Sequence, residues 1–124
     1  MKNDFGGHDN HHYYNVYAYA DHAMDVGQTL EGHEDYFYGN KAVLTSSNIG
    51  GHPSGQHGGP VCNGSRYPKT IVHDNDYYTP DGKILECGMQ LTDLQKHGGD
   101  PNSTVTKTPA DSVVIGWAKE KLGM

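Results

Sequence analysis

The sequence predicts an all-β fold, a solenoid of short parallel strands, and three observations carry that expectation. The first is a phrase written three times: His8-Asp9-Asn10-His11-His12-Tyr13-Tyr14, His33-Glu34-Asp35-Tyr36-Phe37-Tyr38 and His73-Asp74-Asn75-Asp76-Tyr77-Tyr78. Each copy opens on His and an acid and runs into aromatics. The first two align without a gap at an offset of 25 residues, Gly7 falling on Gly32 and Asn15 on Asn40. From His33 to His73 the offset is 40, the excess lying in a Gly/His/Pro-rich stretch. A period in the twenties marks stacked units, none of which buries its apolar face alone. The second observation is composition: 17 Gly and nine Tyr in 124 residues suit short strands joined by tight turns. The third is texture, since brief alternating runs are punctuated by turn signals and no amphipathic helix precedes residue 110.

In chain order, Val16-Tyr17-Ala18-Tyr19-Ala20 alternates as a strand does, Asp21-His22 turns, and Ala23-Met24-Asp25-Val26 is a second short strand. Residues 27–32 lead into the second copy, whose Tyr36-Phe37-Tyr38 is a strand. Gly39-Asn40 is a strong turn signal before the strand Lys41-Ala42-Val43-Leu44-Thr45. Asn15 and Asn40 hold equivalent places before a strand and are expected to form an asparagine ladder between neighbouring units. Residues 46–61 read as a loop projecting from the stack. Thr70-Ile71-Val72 enters the third copy, Tyr77-Tyr78-Thr79 leaves it, and Pro80-Asp81-Gly82 turns into the strand Lys83 to Cys87. The tail differs: Asp111 is an N-cap candidate, and Val113, Val114, Trp117, Ala118 and Lys121 cluster at helical spacing up to Gly123. This divides the chain into coils over 1–110 and a capping helix over 111–124.

The formal charge of −6 disfavours nucleic acid and anionic membrane as partners; protonating all nine His would take it to +3. No run of apolar residues is long enough to span a membrane. Met1-Lys2-Asn3-Asp4 leads straight into the first repeat with no secretory signal pattern. A stack that begins there has an uncovered edge, expected to meet upstream coils, a partner or another copy. Cys62 and Cys87 flank the third repeat and are expected to form a disulfide, which in the loop-entropy account contributes about 3 kcal/mol. Asn63-Gly64-Ser65 and Asn102-Ser103-Thr104 are N-glycosylation acceptor patterns, at Asn63 and Asn102. With the paired cysteines they favour a secreted protein.

Leu91-Thr92-Asp93-Leu94-Gln95-Lys96-His97-Gly98-Gly99-Asp100-Pro101-Asn102-Ser103-Thr104-Val105 resembles the closing segment of secreted right-handed parallel β-helix proteins of the pectate-lyase-like superfamily. Gly32 to Lys41 is similar to coils of that group, and Val114 to Gly123 to its terminal helix. Leu94 stands where that group commonly has Trp. The resemblance implies a right-handed parallel β-helix fragment of about four or five coils, the C-terminal portion of such a protein, with extracellular residence and a polysaccharide ligand. Members include lyases, hydrolases, epimerases and non-catalytic binders, so the resemblance leaves activity open. The calcium-binding Asp cluster and basic proton abstractor of the lyases have no counterpart here, Arg66 being the single Arg.

With the repeats in register, His8, His33 and His73 would form one column and Asp9, Glu34 and Asp74 the next, at a strand spacing of roughly 4.8 Å. Three uses compete for such a column. It can be structural, bonding turn amides while Tyr stacks on Tyr. It can be a glycan-binding face. It can hold calcium or zinc, with His8, His33 and His73 as ligands, although no cofactor is expected in the first instance. For acid–base chemistry the candidates are His11, Tyr13, His33, Tyr36 and Tyr38.

Overall fold

A computed structural model describes residues 2–3, 8–26, 32–49, 70–86 and 88–124. The repeated phrases do become parallel strands. β2 (His11–Tyr13), β5 (Tyr36–Tyr38) and β7 (Ile71–His73) form one sheet in the order β2-β5-β7. β3 (Val16–Ala20), β6 (Lys41–Leu44), β8 (Asp76–Thr79) and β11 (Thr104–Lys107) form another in the order β11-β8-β6-β3. β1 (Lys2–Asn3) pairs in parallel with β4 (Asp25–Val26), whereas β9 (Leu85–Glu86) pairs antiparallel with β10 (Met89–Gln90). The described residues also include two helices, α1 (Leu91–Lys96) and α2 (Asp111–Lys121).

This corrects the all-β, right-handed parallel β-helix expected from the repeats. The described strands fall into four separate sheets, one of them antiparallel, and two helices interrupt and cover them. The physical reason lies after Lys83, where β9, β10 and α1 interrupt the strand-and-bend pattern before Asn102-Ser103 and β11 resume it. Gly88, at φ +74, lets the chain double back from β9 into β10. Leu91 and Leu94, three apart and both buried, then fold the next residues into a helix. Among the described residues the two larger parallel sheets are three and four strands deep.

What turns the chain between the two large sheets is a two-residue bend. Tyr14-Asn15 joins β2 to β3, Gly39-Asn40 joins β5 to β6, and Asp74-Asn75 joins β7 to β8. The first residue of each is left-handed, with φ of 54°, 66° and 56°; Asn102, at 61°, repeats this before Ser103 and β11. Asp and Asn tolerate that region and Gly occupies it freely. The second residue supplies a side-chain oxygen. Asn15 N–H donates to Asn40 Oδ1 at 2.9 Å, Asn40 N–H to Asn75 Oδ1 at 3.0 Å, and Asn75 N–H to Ser103 Oγ at 2.8 Å. The expected asparagine ladder thus exists and runs through four bends.

Residues His12, Phe37 and Val72 share one row of the β5 sheet; Tyr17, Ala42, Tyr77 and Val105 share one of the β6 sheet. These rows bound the core, with the Tyr17 and Phe37 rings 5.7 Å apart. Met24, Leu44, Ile49, Ile84 and Leu91 fill the rest. Burying a side chain of the size of Phe37 contributes about 2–3 kcal/mol before entropy. Ile49 belongs to this core, so the stretch expected to project as a loop begins inside the body: Ile49 O accepts from Ala23 and Met24, and its N–H donates to Leu85 O. The remainder of that stretch lies outside the described residues. So do Cys62, Cys87 and Asn63, and with them the expected disulfide.

Helix α2 lies across the outer face of the β6 sheet. Val43 points away from the core rows and is buried, as is Val114 of α2. Trp117 rests 5.0 Å from the Tyr78 ring, with Lys41 Nζ 4.8 Å from its own ring. Asp111 is not the N-cap, a place taken by Ala110 without a side-chain bond. Its carboxylate instead accepts from the Tyr19 hydroxyl. Tyr19 reaches it because β3 carries one extra residue against β6 and Tyr19 sits there at φ 59°.

Candidate functional site

On the outward side of the β5 sheet, register places His11 beside Tyr36 and Ile71, and Tyr13 beside Tyr38 and His73. Aromatic side chains in register on parallel strands stand close enough to stack. His11 and Tyr36 lie 4.3 Å apart at 5°, Tyr13 and Tyr38 5.3 Å apart at 7°, and Tyr38 and His73 5.0 Å apart at 7°. Tyr14 meets Tyr13 edge to face. Gly39 makes room for it, since a Cβ there would lie 2.5 Å from the Tyr14 ring. Tyr13 and Tyr14 keep 49% and 60% of their surface exposed, which makes this the most open aromatic surface among the described residues.

Four of the five residues expected to serve acid–base chemistry, His11, Tyr13, Tyr36 and Tyr38, thus meet in one place. They meet as stacked rings. Among the described residues no hydrogen bond joins a tyrosine hydroxyl to an imidazole nitrogen, so the arrangement displays polar edges rather than pairing an acid with a base. His33 is elsewhere.

The expected column of His8, His33 and His73 is not formed. Asn75, not His73, answers to Asn40, so the third copy is offset by 35 residues from the second. That register sends His73 to the Tyr38 row and Asp74 to the left-handed bend position held by Gly39 and Tyr14. His73 Nδ1 bonds Asp74 Oδ2 at 2.5 Å. His8, Asp9 and His33 do converge: the Nδ1 atoms of His8 and His33 each lie 2.8 Å from Asp9 Oδ2. The bond to His8, then that to His33, holds the Asp9 carboxyl below the usual carboxylate range. Glu34 turns away from this group and accepts the Gly32 N–H at 3.0 Å. These three side chains, all exposed, are the one described set of His, Cys and acid residues close enough to hold a metal ion.

Sequence reasoning missed two further features. A cleft of about 580 Å³ runs between α2 and the β2–β3 edge, lined by His12, Tyr14, Asn15, Tyr17, Lys121 and Leu122 among others. Burial pushes the His12 imidazole down, so it faces this cleft largely neutral. The second is a buried acid cluster. Asp100 accepts from the Tyr77 hydroxyl at 2.8 Å and from Ser103 Oγ at 2.5 Å. Glu86, 0% exposed, has neither oxygen in a hydrogen bond of good geometry. Burial first, and the Asp100 charge second, push its carboxyl up to about 10. It is shut off from solvent. No spacing rule flags it, because Glu86 and Asp100 come together only through the β9–β10 reversal.

The described helices include none long and apolar enough to cross a membrane. Compared with known proteins, the chain matches no family model, no curated protein and no solved structure.

Proposed function

We propose that this chain binds carbohydrate, in an extracellular setting, through the ring-lined face of its β5 sheet. The observation that supports the reading is the double row of His11–Tyr36 and Tyr13–Tyr38–His73, exposed at His11 and Tyr13 and half-buried behind them, flanked by the exposed Tyr14. Pyranose faces carry C–H groups that meet the negative face of an aromatic ring, and since stacking covers both faces of Tyr38, the rings open to such contact are those of His11, Tyr13 and Tyr14. The imidazole nitrogens and phenol hydroxyls at the ring edges donate and accept hydrogen bonds to sugar hydroxyls. Stacking fixes these rings in advance, so little side-chain entropy is lost when a rigid ligand arrives. Asn102, within its acceptor tripeptide, is exposed, as glycosylation in a secretory compartment requires. The test is a glycan array with the wild-type chain and the double variant His11→Ser, Tyr13→Ser. Wild type is expected to retain a polysaccharide that the variant releases. Binding to no glycan, or equal binding by both, overturns the reading.

A second reading follows from β2 and β3, which end their sheets among the described strands. Such edges accept an added strand. End-to-end association of copies, or docking on a partner, would use them. Light scattering that grows with protein concentration, together with an empty glycan array, would favour this reading over the first.

A further inference from the structure

We propose that His8, Asp9 and His33 form a surface site for a divalent first-row transition ion, with zinc as the reference ion and water completing its shell. This does not rest on the carbohydrate reading. Two imidazole nitrogens lie 2.8 Å from a single carboxylate oxygen, and the three ligand atoms fall within 4.8 Å of one another. Zinc holds imidazole nitrogen and carboxylate oxygen at about 2.0–2.2 Å, which in a tetrahedron spaces ligand atoms roughly 3.3 Å apart. Each imidazole nitrogen therefore has to move about half an ångström from Asp9 Oδ2, and the two His ligand atoms, which lie within 4.8 Å of each other, have to settle at the same spacing to admit the ion. That adjustment lies within the freedom of exposed rotamers.

The main chain prepares the site. His8 and Asp9 come from one segment and His33 from another, and Asp9 N–H donates to His33 O at 3.3 Å, clasping the two together. Asp9 holds φ 56° at this point, and the His8 and His33 rings stand 5.2 Å apart at 62°. Ligands gathered before the ion arrives cost less to order on binding. In the free protein each Nδ1–H donates to Asp9. On binding, each ring keeps one proton, now on Nε2, and turns the Nδ1 lone pair to the ion.

The donor set chooses the ion. Two imidazoles with one carboxylate suit zinc and its neighbours. Calcium takes six to eight oxygens, which these residues do not offer. Three protein ligands leave the fourth position to solvent. The third copy of the repeat supplies an internal control: His73 and Asp74 form the same adjacent pair, but their register sets the phenol ring of Tyr38 beside them, where the first pair has His33.

The experiment is calorimetric titration of zinc chloride into the full chain near neutral pH, with any free thiol alkylated. Wild type is expected to take up one tightly held ion. His33→Gln and Asp9→Asn should each weaken that event by about tenfold or more, while His73→Gln leaves it unchanged. His8→Gln is the additional variant, with the same weakening expected, and circular dichroism confirms that each variant folds. Absence of saturable zinc binding in the wild type overturns the proposal. So does full affinity in His33→Gln and His8→Gln, or a loss in His73→Gln equal to theirs.

Discussion

Replacing Glu86 by Gln should stabilise this protein in mild alkali and change its response to pH. Glu86 is wholly buried and its carboxyl is pushed up to about 10, by burial first and by Asp100 next. The ordinary glutamate value is 4.5. Between those two values the folded state keeps a proton that the unfolded chain has released. Stability must then fall as pH rises, because the unfolded state binds fewer protons. The slope is at most a little over 1 kcal/mol per pH unit, so three units between pH 5 and pH 8 remove about 3–4 kcal/mol. Asp100 adds to this in the same sense, since burial raises its carboxyl too, opposed by its bonds to Glu86, Ser103 and Tyr77. Gln matches the shape of a neutral Glu and still offers a donor towards Asp100, but it carries no proton to lose. Urea unfolding at pH 5 and pH 8 reads the outcome. Wild type should lose most of that amount across the interval, and Glu86→Gln should lose clearly less. Equal slopes in the two proteins, or a wild type whose stability rises from pH 5 to pH 8, would refute the reasoning.

The bends and the helix give four more expectations. Asn75→Ala strips the Asn40 N–H and the Phe37 carbonyl of buried partners and should cost about 2–5 kcal/mol in chemical denaturation. Asn15→Ala, whose side chain bonds only the exposed Tyr17 hydroxyl, should cost under about 1 kcal/mol. Gly39→Ala forces a side chain into φ 66° and against the Tyr14 ring, so it should destabilise by about 1–3 kcal/mol. Val114→Asp places a charge against Val43 under α2; the emission of Trp117, the only Trp, should shift to the red while the far-ultraviolet β signal persists.

Where sequence reasoning succeeded, it used features set by local backbone need. Gly39-Asn40 reads as a turn because a left-handed residue is followed by one whose side chain bonds the backbone, and the bend is there. The alternation of Val16 to Ala20 and the run Lys41 to Leu44 became strands for the same local reason. The spacing of Val114, Trp117 and Lys121 gave α2. Where it failed, chemistry had been aligned in place of geometry. His73-Asp74 was matched to His33-Glu34 by residue type, whereas the bend pairs Asp74 with Gly39 and Asn75 with Asn40. Counting from the left-handed residue and its Asn would have found the true offset. The fold class failed because the antiparallel β9–β10 pair and α1 interrupt the parallel strands, and α1 is too short for periodicity to announce.

The same two letters, His then Asp, do different work according to their distance from the bend. Before β2 they precede the strand, where the second unit offers His33 and its main-chain carbonyl, and a shared carboxylate results. After β7 they occupy the last strand residue and the bend itself, so His73 joins the ring column and Asp74 provides the left-handed turn. The interior amide ladder makes both placements tolerable, because it holds the bends together without help from the outward residues. Outward positions are thereby free to carry rings in one column and metal-type ligands at another site. His33 contributes to the second and stacks on no ring of the first, so His33→Gln should weaken zinc uptake by about tenfold or more and leave glycan retention intact. His11→Ser with Tyr13→Ser should do the reverse. A variant pair that moved both readouts together would mean that the two surfaces act as one site, and would require the separate assignments to be withdrawn.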